Sequence, residues 1–352
     1  MSRLNHRQVL RLVSVTALGA LVALTGCSGT KTDNSAGTGG SSPSPTAASG
    51  THTSPRSVPA GMGSGAKDGV FPRTVAHFEG KTALTTAPKK VVVISTGQAD
   101  ALLTLGIVPV ASTRGDGADL IPAYLKTAYP RDAKAIASVA DVGTRFEPSL
   151  EAIANVKPDL ILMNTAGKDA KALYTSLSAL APTVATQGTG LYWKQDFLLL
   201  ADAVGKTQEA QDFLDRFHAD AATLGERLKK PVTVSFLRMN GNRLRVFGVP
   251  SFTGGIAEDA GLQRPTSQRF AKTSEDISNE QLDRADADWL FYGVQNAATK
   301  SAALLNAPLW PTLRAVADKT AVPVDDDVFY LNTGPTAARD VLAVLQERVG
   351  AQ

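Results

Sequence analysis

The chain has one cysteine, Cys27, and four histidines in 352 residues. A single thiol excludes an internal disulfide, so the fold must be held by core burial, which this length permits. Zinc and manganese sites draw on clusters of His, Asp, Glu or Cys. After the leading stretch only His52, His77 and His218 remain and no such cluster forms, so no metal site is expected. The apolar run over 13–24 is too short for a bilayer, which needs about 20 residues. Gly-x-Ser-x-Gly, paired-histidine helix and CxxC patterns are absent. Gly205-Lys206-Thr207 resembles a phosphate-loop tail but has Leu200 where that loop needs glycine, and Gly61, Gly63 and Gly65 follow no strand. Catalytic residues and cofactors are therefore expected to be none, and the protein is not expected to be an enzyme.

What is present begins with Arg3, Arg7 and Arg11 ahead of the apolar run, the layout of a cleaved export signal over 1–26. The formal charge of +3 shrinks without those arginines to 33 basic against 33 acidic side chains, which argues against a nucleic-acid partner. Leu24-Thr25-Gly26-Cys27 resembles a bacterial lipobox. That resemblance implies acylation of the Cys27 sulfur and a lipid anchor on the extracytoplasmic face of the cell membrane, two chains sufficing for stable anchoring. Residues 27–69 are nearly all Gly, Ser, Thr, Pro and Ala, so they are expected to form a disordered tether reaching about 35 Å.

From Val91 onward, β-branched runs alternate with amphipathic segments, and the alternation restarts at Pro231. Strands are expected at 91–94, 108–110, 159–163, 183–185, 232–237, 244–249 and 288–292, with helices between them. Between the halves, Ala210, Phe213, Leu214, Phe217, Ala221, Leu224 and Leu228 make a helical stripe over 207–230, capped by Thr207 and stopped by Pro231. The expected fold is α/β: two doubly wound lobes, 70–206 and 231–352, joined by one long helix about 36 Å in length. Gly225 is the one weak point in that rod. The halves also echo each other, since Glu151 precedes Asp159, and Glu280 precedes Asp288, by eight residues and then an apolar strand.

In open α/β sheets, ligands bind beyond the carboxyl ends of the strands. Loops there hold Arg114, Arg145, Phe146 and Trp193 in the first half, and Arg238, Phe252 and Tyr292 in the second. Arginine forks onto anionic oxygens and aromatic faces cover organic surface, so these seven are the candidate ligand-binding residues. Each arginine has an ordinary alternative as a solvated side chain, and Phe252 and Tyr292 have one in the core. Asp325-Asp326-Asp327 lacks the alternate spacing of a calcium loop and is expected to be a solvated turn.

Several segments resemble the bacterial ABC-transporter substrate-binding lipoproteins for ferric siderophores, haem and vitamin B12. They are KKVVVISTGQADALLTLGIVPVAS, VGTRFEPSLEAIANVKPDLILMN, FGVPSFTGGIAEDAGLQRP, ISNEQLDRADADWLFY and APLWPTLRAV, in that order over about 88–350. Tyr-Leu-Asn-Thr-Gly-Pro-Thr at 330–336 looks most like actinobacterial iron-siderophore members. The resemblance implies a monomeric class III periplasmic-binding-protein-like fold that captures a ferric siderophore between its lobes and delivers it to an ABC permease dimer. It further implies that Glu151 and Glu280 are the permease-docking residues, one per lobe. Haem or cobalamin as cargo, or an exported enzyme or adhesin on the same fold, stay open at this point.

Overall fold

The computed structural model describes residues 54–115, 119–295 and 297–350. The acylation site expected at Cys27 lies outside the described residues. A hairpin of β1 (Arg73–His77) and β2 (Gly80–Leu84) precedes two five-stranded sheets. The first holds β3 (Val91–Val93), β4 (Ala111–Arg114), β5 (Ala140–Thr144), β6 (Leu160–Asn164) and β7 (Thr183–Thr186), all parallel, in the order β5-β4-β3-β6-β7. The second holds β8 (Val234–Asn240), β9 (Arg243–Phe247), β10 (Ser274–Ile277), β11 (Trp289–Val294) and β12 (Ala321–Pro323), in the order β10-β9-β8-β11-β12. The two orders are the same five-strand pattern. They differ only in that β9 runs antiparallel to both of its neighbours. Continuous apolar runs such as Val91–Val93 are buried on both faces, as parallel strands covered by helices must be.

The sequence echo has a structural counterpart. Asp159, just before β6, accepts the backbone N–H groups of Lys89 and Lys90, ahead of β3, at 2.8 Å each. Asp288, just before β11, accepts the N–H of Thr233, ahead of β8, at 2.8 Å. Each aspartate thus ties the strand it opens to the first strand of its own sheet.

The connecting helix runs Thr207–Arg227 and buries Ala210, Leu214, Phe217, Ala221 and Leu224, five of the seven residues of the expected stripe, with Phe213 and Leu228 partly buried against the core. Its end falls short of residue 230 because Leu228 turns extended, and its cap is not Thr207. The Asp68 carboxylate accepts the N–H groups of Thr207 and Gln208 at 2.8 and 2.9 Å. Gly225 is a packing position rather than a weak point, since a Cβ there would lie 3.1 Å from the Ala260 carbonyl oxygen.

Asp68 belongs to the stretch expected to be tether, and that expectation fails from Ser54 onward. Ser54 Oγ donates to the Leu191 carbonyl at 2.6 Å, Arg56 pairs with Asp259 at 3.0 Å, and Ser64 donates from both N and Oγ to Asp202 at 2.6 Å. Composition measures only the apolar area a segment can bury. Here polar side chains fasten it instead.

Several contacts hold the lobes together. Asp100, in the first-lobe helix Gln98–Thr104, is 1 % exposed and accepts the N–H groups of Thr336 and Ala337 at 2.8 and 3.0 Å. Those groups open the last helix, Pro335–Arg348, so Asp100 caps a helix of the other half. Burial pushes its carboxyl pKa up, and these hydrogen bonds with that from Tyr124 oppose the shift. Lys194, in the helix Trp193–Val204, is fully buried against Asp259 of the helix Phe252–Asp259. Burial lowers the lysine pKa while Asp259 raises it.

Candidate ligand-binding cleft

A cleft of about 700 Å³ opens at the carboxyl ends of the central strands, between the two lobes. The first lobe lines it with the segments after β3 (Ile94, Ser95, Thr96), after β5 (Arg145, Phe146) and at and beyond the end of β6 (Asn164 and Ala166 to Ala170). β3 and β6 are neighbours although β4 and β5 intervene in sequence, so the loops after them diverge and leave a crevice. Ser95 Oγ accepts the Asn164 N–H at 3.0 Å across that gap. The second lobe contributes Arg238 on β8, Arg245 on β9, and Tyr330, Leu331 and Thr333.

Arg238 is 6 % exposed and held by both oxygens of Asp326, Nε to Oδ1 at 2.7 Å and Nη2 to Oδ2 at 2.8 Å. A two-point fork fixes the guanidinium plane. Arg245 reaches Asp276 at 3.2 Å, and Arg243 shares that carboxylate at 2.7 Å. The two arginines pull the Asp276 carboxyl below its ordinary range, Arg243 most strongly. On the first lobe, the Arg145 guanidinium lies 4.3 Å over the Phe146 ring, and Phe146 is 71 % exposed at the rim. Tyr330 donates to the Phe291 carbonyl at 2.8 Å, and its ring comes so close to Gly293 that a Cβ there would lie 2.6 Å from it. Burial, followed by the Asp326 charge, keeps that phenol protonated.

Of the seven expected residues, Arg145, Phe146 and Arg238 line the cleft. The other four lie elsewhere. Arg114 pairs with Asp141 at 2.6 Å on the first sheet, half-exposed. Trp193 is 3 % exposed, its ring edge-on to Phe217 at 5.2 Å and to Phe252 at 5.8 Å. Phe252 is buried with it, as the first residue of the helix Phe252–Asp259. Tyr292 sits edge-on to Trp310 at 4.9 Å in the second-lobe core. Apolar bulk outweighed loop position for these three aromatics.

Arg245 was missed because it lies inside a strand. The pattern Arg243-Leu244-Arg245-Val246 carried the signal, since alternate residues share a sheet face. The aspartate run is also no plain solvated turn. Asp326 anchors Arg238, Asp325 accepts the Asp327 N–H at 2.8 Å, and the Asp327 carboxyl is raised to about 6, by burial first and then by Asp325, Asp326 and Asp119. Asp119 lies on the first lobe and lines the same small pocket as Asp327, so like charges from the two lobes face each other there.

Glu151 and Glu280 are exposed and sit in equivalent turns. Glu151 follows β5 in the first turn of the helix Leu150–Val156, where Ser149 Oγ accepts the Ala152 N–H at 3.2 Å. Glu280 follows β10 in the first turn of the 3-10 helix Asn279–Ala285, where Ser278 and Gln281 form a capping box. β5 and β10 are the outer strands of their sheets on matching sides. Hydrogen bonds from Ser278 and its own backbone lower the Glu280 pKa.

The family model described as Periplasmic binding protein matches residues 91–327. The chain belongs to that family. Among the relatives of this periplasmic binding protein, the probable siderophore-binding lipoprotein YfiY of Bacillus subtilis (strain 168) is 34% identical over 286 residues, 77% of this chain and 85% of that one. The Fe(3+) dicitrate-binding periplasmic protein FecB of Escherichia coli (strain K12) is 25% identical over 276 residues, 78% of this chain and 89% of that one. A crystal structure of Staphylococcus aureus SirA complexed with staphyloferrin B aligns with a TM-score of 0.67 and 25% identity, covering 78% of this chain and 98% of that one. Among the described residues, no group of three or more His, Cys, Asp or Glu side chains is placed to hold a metal ion, and no helix is long and apolar enough to cross a membrane.

Proposed function

We propose that this chain is a monomeric, lipid-anchored receptor that captures an extracellular ferric-siderophore complex and hands it to an ABC importer. The observation that carries the reading is the cleft itself: arginines enter it from both lobes, among Ser95, Asn164, Thr333 and Tyr330. Ferric iron arrives already wrapped in chelating oxygens, so the cargo calls for cations and hydrogen-bond donors around the complex rather than metal ligands from the protein. Relatives named for siderophore and ferric-citrate binding support the same cargo. No catalytic role is part of the reading.

Native mass spectrometry of the purified chain against ferric hydroxamate, catecholate and citrate-type chelates, haem and cyanocobalamin tests it. One-to-one binding of a ferric chelate is expected, and retention of haem or cyanocobalamin alone would reassign the cargo. The anchor is tested by Cys27→Ala, which should release the protein from the membrane fraction. Delivery rests on Glu151 and Glu280 as docking groups for the two permease subunits. The double variant Glu151→Arg/Glu280→Arg should keep its affinity for the chelate and lose transport, because both side chains are exposed and outside the cleft lining. Undiminished transport would return them to ordinary helix-start carboxylates.

A further inference from the structure

The two docking turns occupy matching places but carry different surfaces. Among the described residues only five large apolar side chains are strongly exposed, and two of them, Phe146 at 71 % and Leu150 at 40 %, lie within five positions of Glu151. The turn that presents them is stiff. Ser149 N–H donates to the Val142 carbonyl at 2.8 Å, and Glu147 N–H donates to the Thr144 carbonyl at 3.2 Å. Gly143 has a φ of 97° and a Cβ there would lie 2.8 Å from the Glu147 carbonyl oxygen, so the tight turn requires glycine. The Arg145 guanidinium stacked on Phe146 holds that ring outward at the rim. Glu147 and Glu151, both exposed, flank the two apolar groups. On the second lobe the corresponding turn exposes Asn279, Glu280 and Gln281, while its apolar residues Ile277 and Leu282 are buried.

Building on the docking reading, we infer that delivery is asymmetric. On the first lobe, Phe146 and Leu150 seat Glu151 in a basic pocket with an apolar lip on one importer subunit, and the second lobe docks through polar contacts alone. The chemistry follows from the surface. Two exposed apolar side chains beside two carboxylates match a partner that pairs the charge and covers the apolar area together, since excluding water strengthens the ion pairs while apolar burial supplies affinity. Where the two permease subunits differ and one alone carries the lip, the asymmetry gives a receptor with two similar lobes a single orientation, because the apolar contact is made only when the first lobe meets that lip.

The test uses the mature chain with Cys27→Ser, so that no lipid anchor contributes, and right-side-out vesicles from iron-starved cells of the source bacterium. Co-sedimentation measures vesicle affinity, and urea denaturation checks folding. Leu150→Ser and Phe146→Ser should each weaken vesicle binding by about tenfold, the factor that burying one such side chain supplies. Leu180→Ser, also exposed but remote in sequence from either turn, should change nothing. Should Glu151→Arg abolish vesicle binding while Leu150→Ser and Phe146→Ser bind as the parent chain does, the apolar seat is wrong and the docking reading stands. Should Glu151→Arg bind as the parent chain does, both are wrong.

Discussion

Replacing Asp327 by asparagine should stabilise the protein at neutral pH and leave it nearly unchanged near pH 4. Asp327 opens the turn Asp327–Leu331, half-buried, with Asp325, Asp326 and Asp119 facing it and Arg238 opposing them. Its carboxyl is raised from 3.8 to about 6, and at about 1.36 kcal/mol per pKa unit ionisation opposes folding by at most about 3 kcal/mol. Partial exposure screens the group, so about 1–2 kcal/mol is expected. The sign follows from proton counts. Between 3.8 and about 6 the folded chain binds more protons at this site than the unfolded chain, so this site's contribution to stability falls as pH rises through that window. Asparagine has no charge to bury, and no hydrogen bond among the described residues ends on the Asp327 carboxylate oxygens. Urea denaturation of both proteins at pH 4 and pH 7.5 measures the difference. An equal gap at the two pH values, or a less stable variant at pH 7.5, would refute the reasoning.

Asp259→Ala should cost about 3–5 kcal/mol in the same assay, because it leaves the fully buried Lys194 ammonium without its carboxylate. A loss under about 1 kcal/mol would mean that Lys194 is neutral in the folded chain. Arg145→Ala and Arg238→Ala should each weaken binding of the ferric chelate found by mass spectrometry by about 10- to 150-fold, the value of a charge-assisted contact. Unchanged affinity in both would move the ligand away from this cleft. Arg238→Ala should also lower stability by leaving Asp326 unpaired, whereas Arg145→Ala, at the rim, should do so less.

Periodicity made the large features legible. Buried β-branched runs marked the central strands of both sheets, and the stripe from Ala210 to Leu224 marked the connecting helix. Glu151–Asp159 and Glu280–Asp288 pointed to two lobes of one construction, and the shared strand order bears this out. Short edge elements such as β5, β10 and β12 escaped because their residues are mostly exposed or half-buried and carry no clean alternation. The cleft was only partly readable. Loop position after a strand found Arg145, Phe146 and Arg238. It also selected Trp193, Phe252 and Tyr292, whose rings pack inward against Phe217 and Trp310. Whether an aromatic faces ligand or core depends on the partner across the fold, and that partner is distant in sequence. Ser54 to Asp68 illustrates the same limit, because its partners are the Leu191 carbonyl, the Asp202 carboxylate and the Thr207 N–H, all more than 130 residues away.

The Asp100 cap has a consequence for how this chain can be divided. Its two lobes share one strand order, and a unit simply repeated twice would survive being cut at the joint. Here one copy owns the carboxylate and the other owns the N–H groups it satisfies. Severed near Pro231, the first half would keep a buried acid with its backbone donors gone. The second half would begin its last helix with unmet donors at Thr336 and Ala337, and Gly334, where any Cβ would overlap the Asp100 carboxyl, would have nothing left to accommodate. The halves are thus complementary fragments rather than modules: neither carries a complete set of its own partners, and swapping one lobe between related receptors succeeds only when residues 100 and 334–337 travel as a matched set.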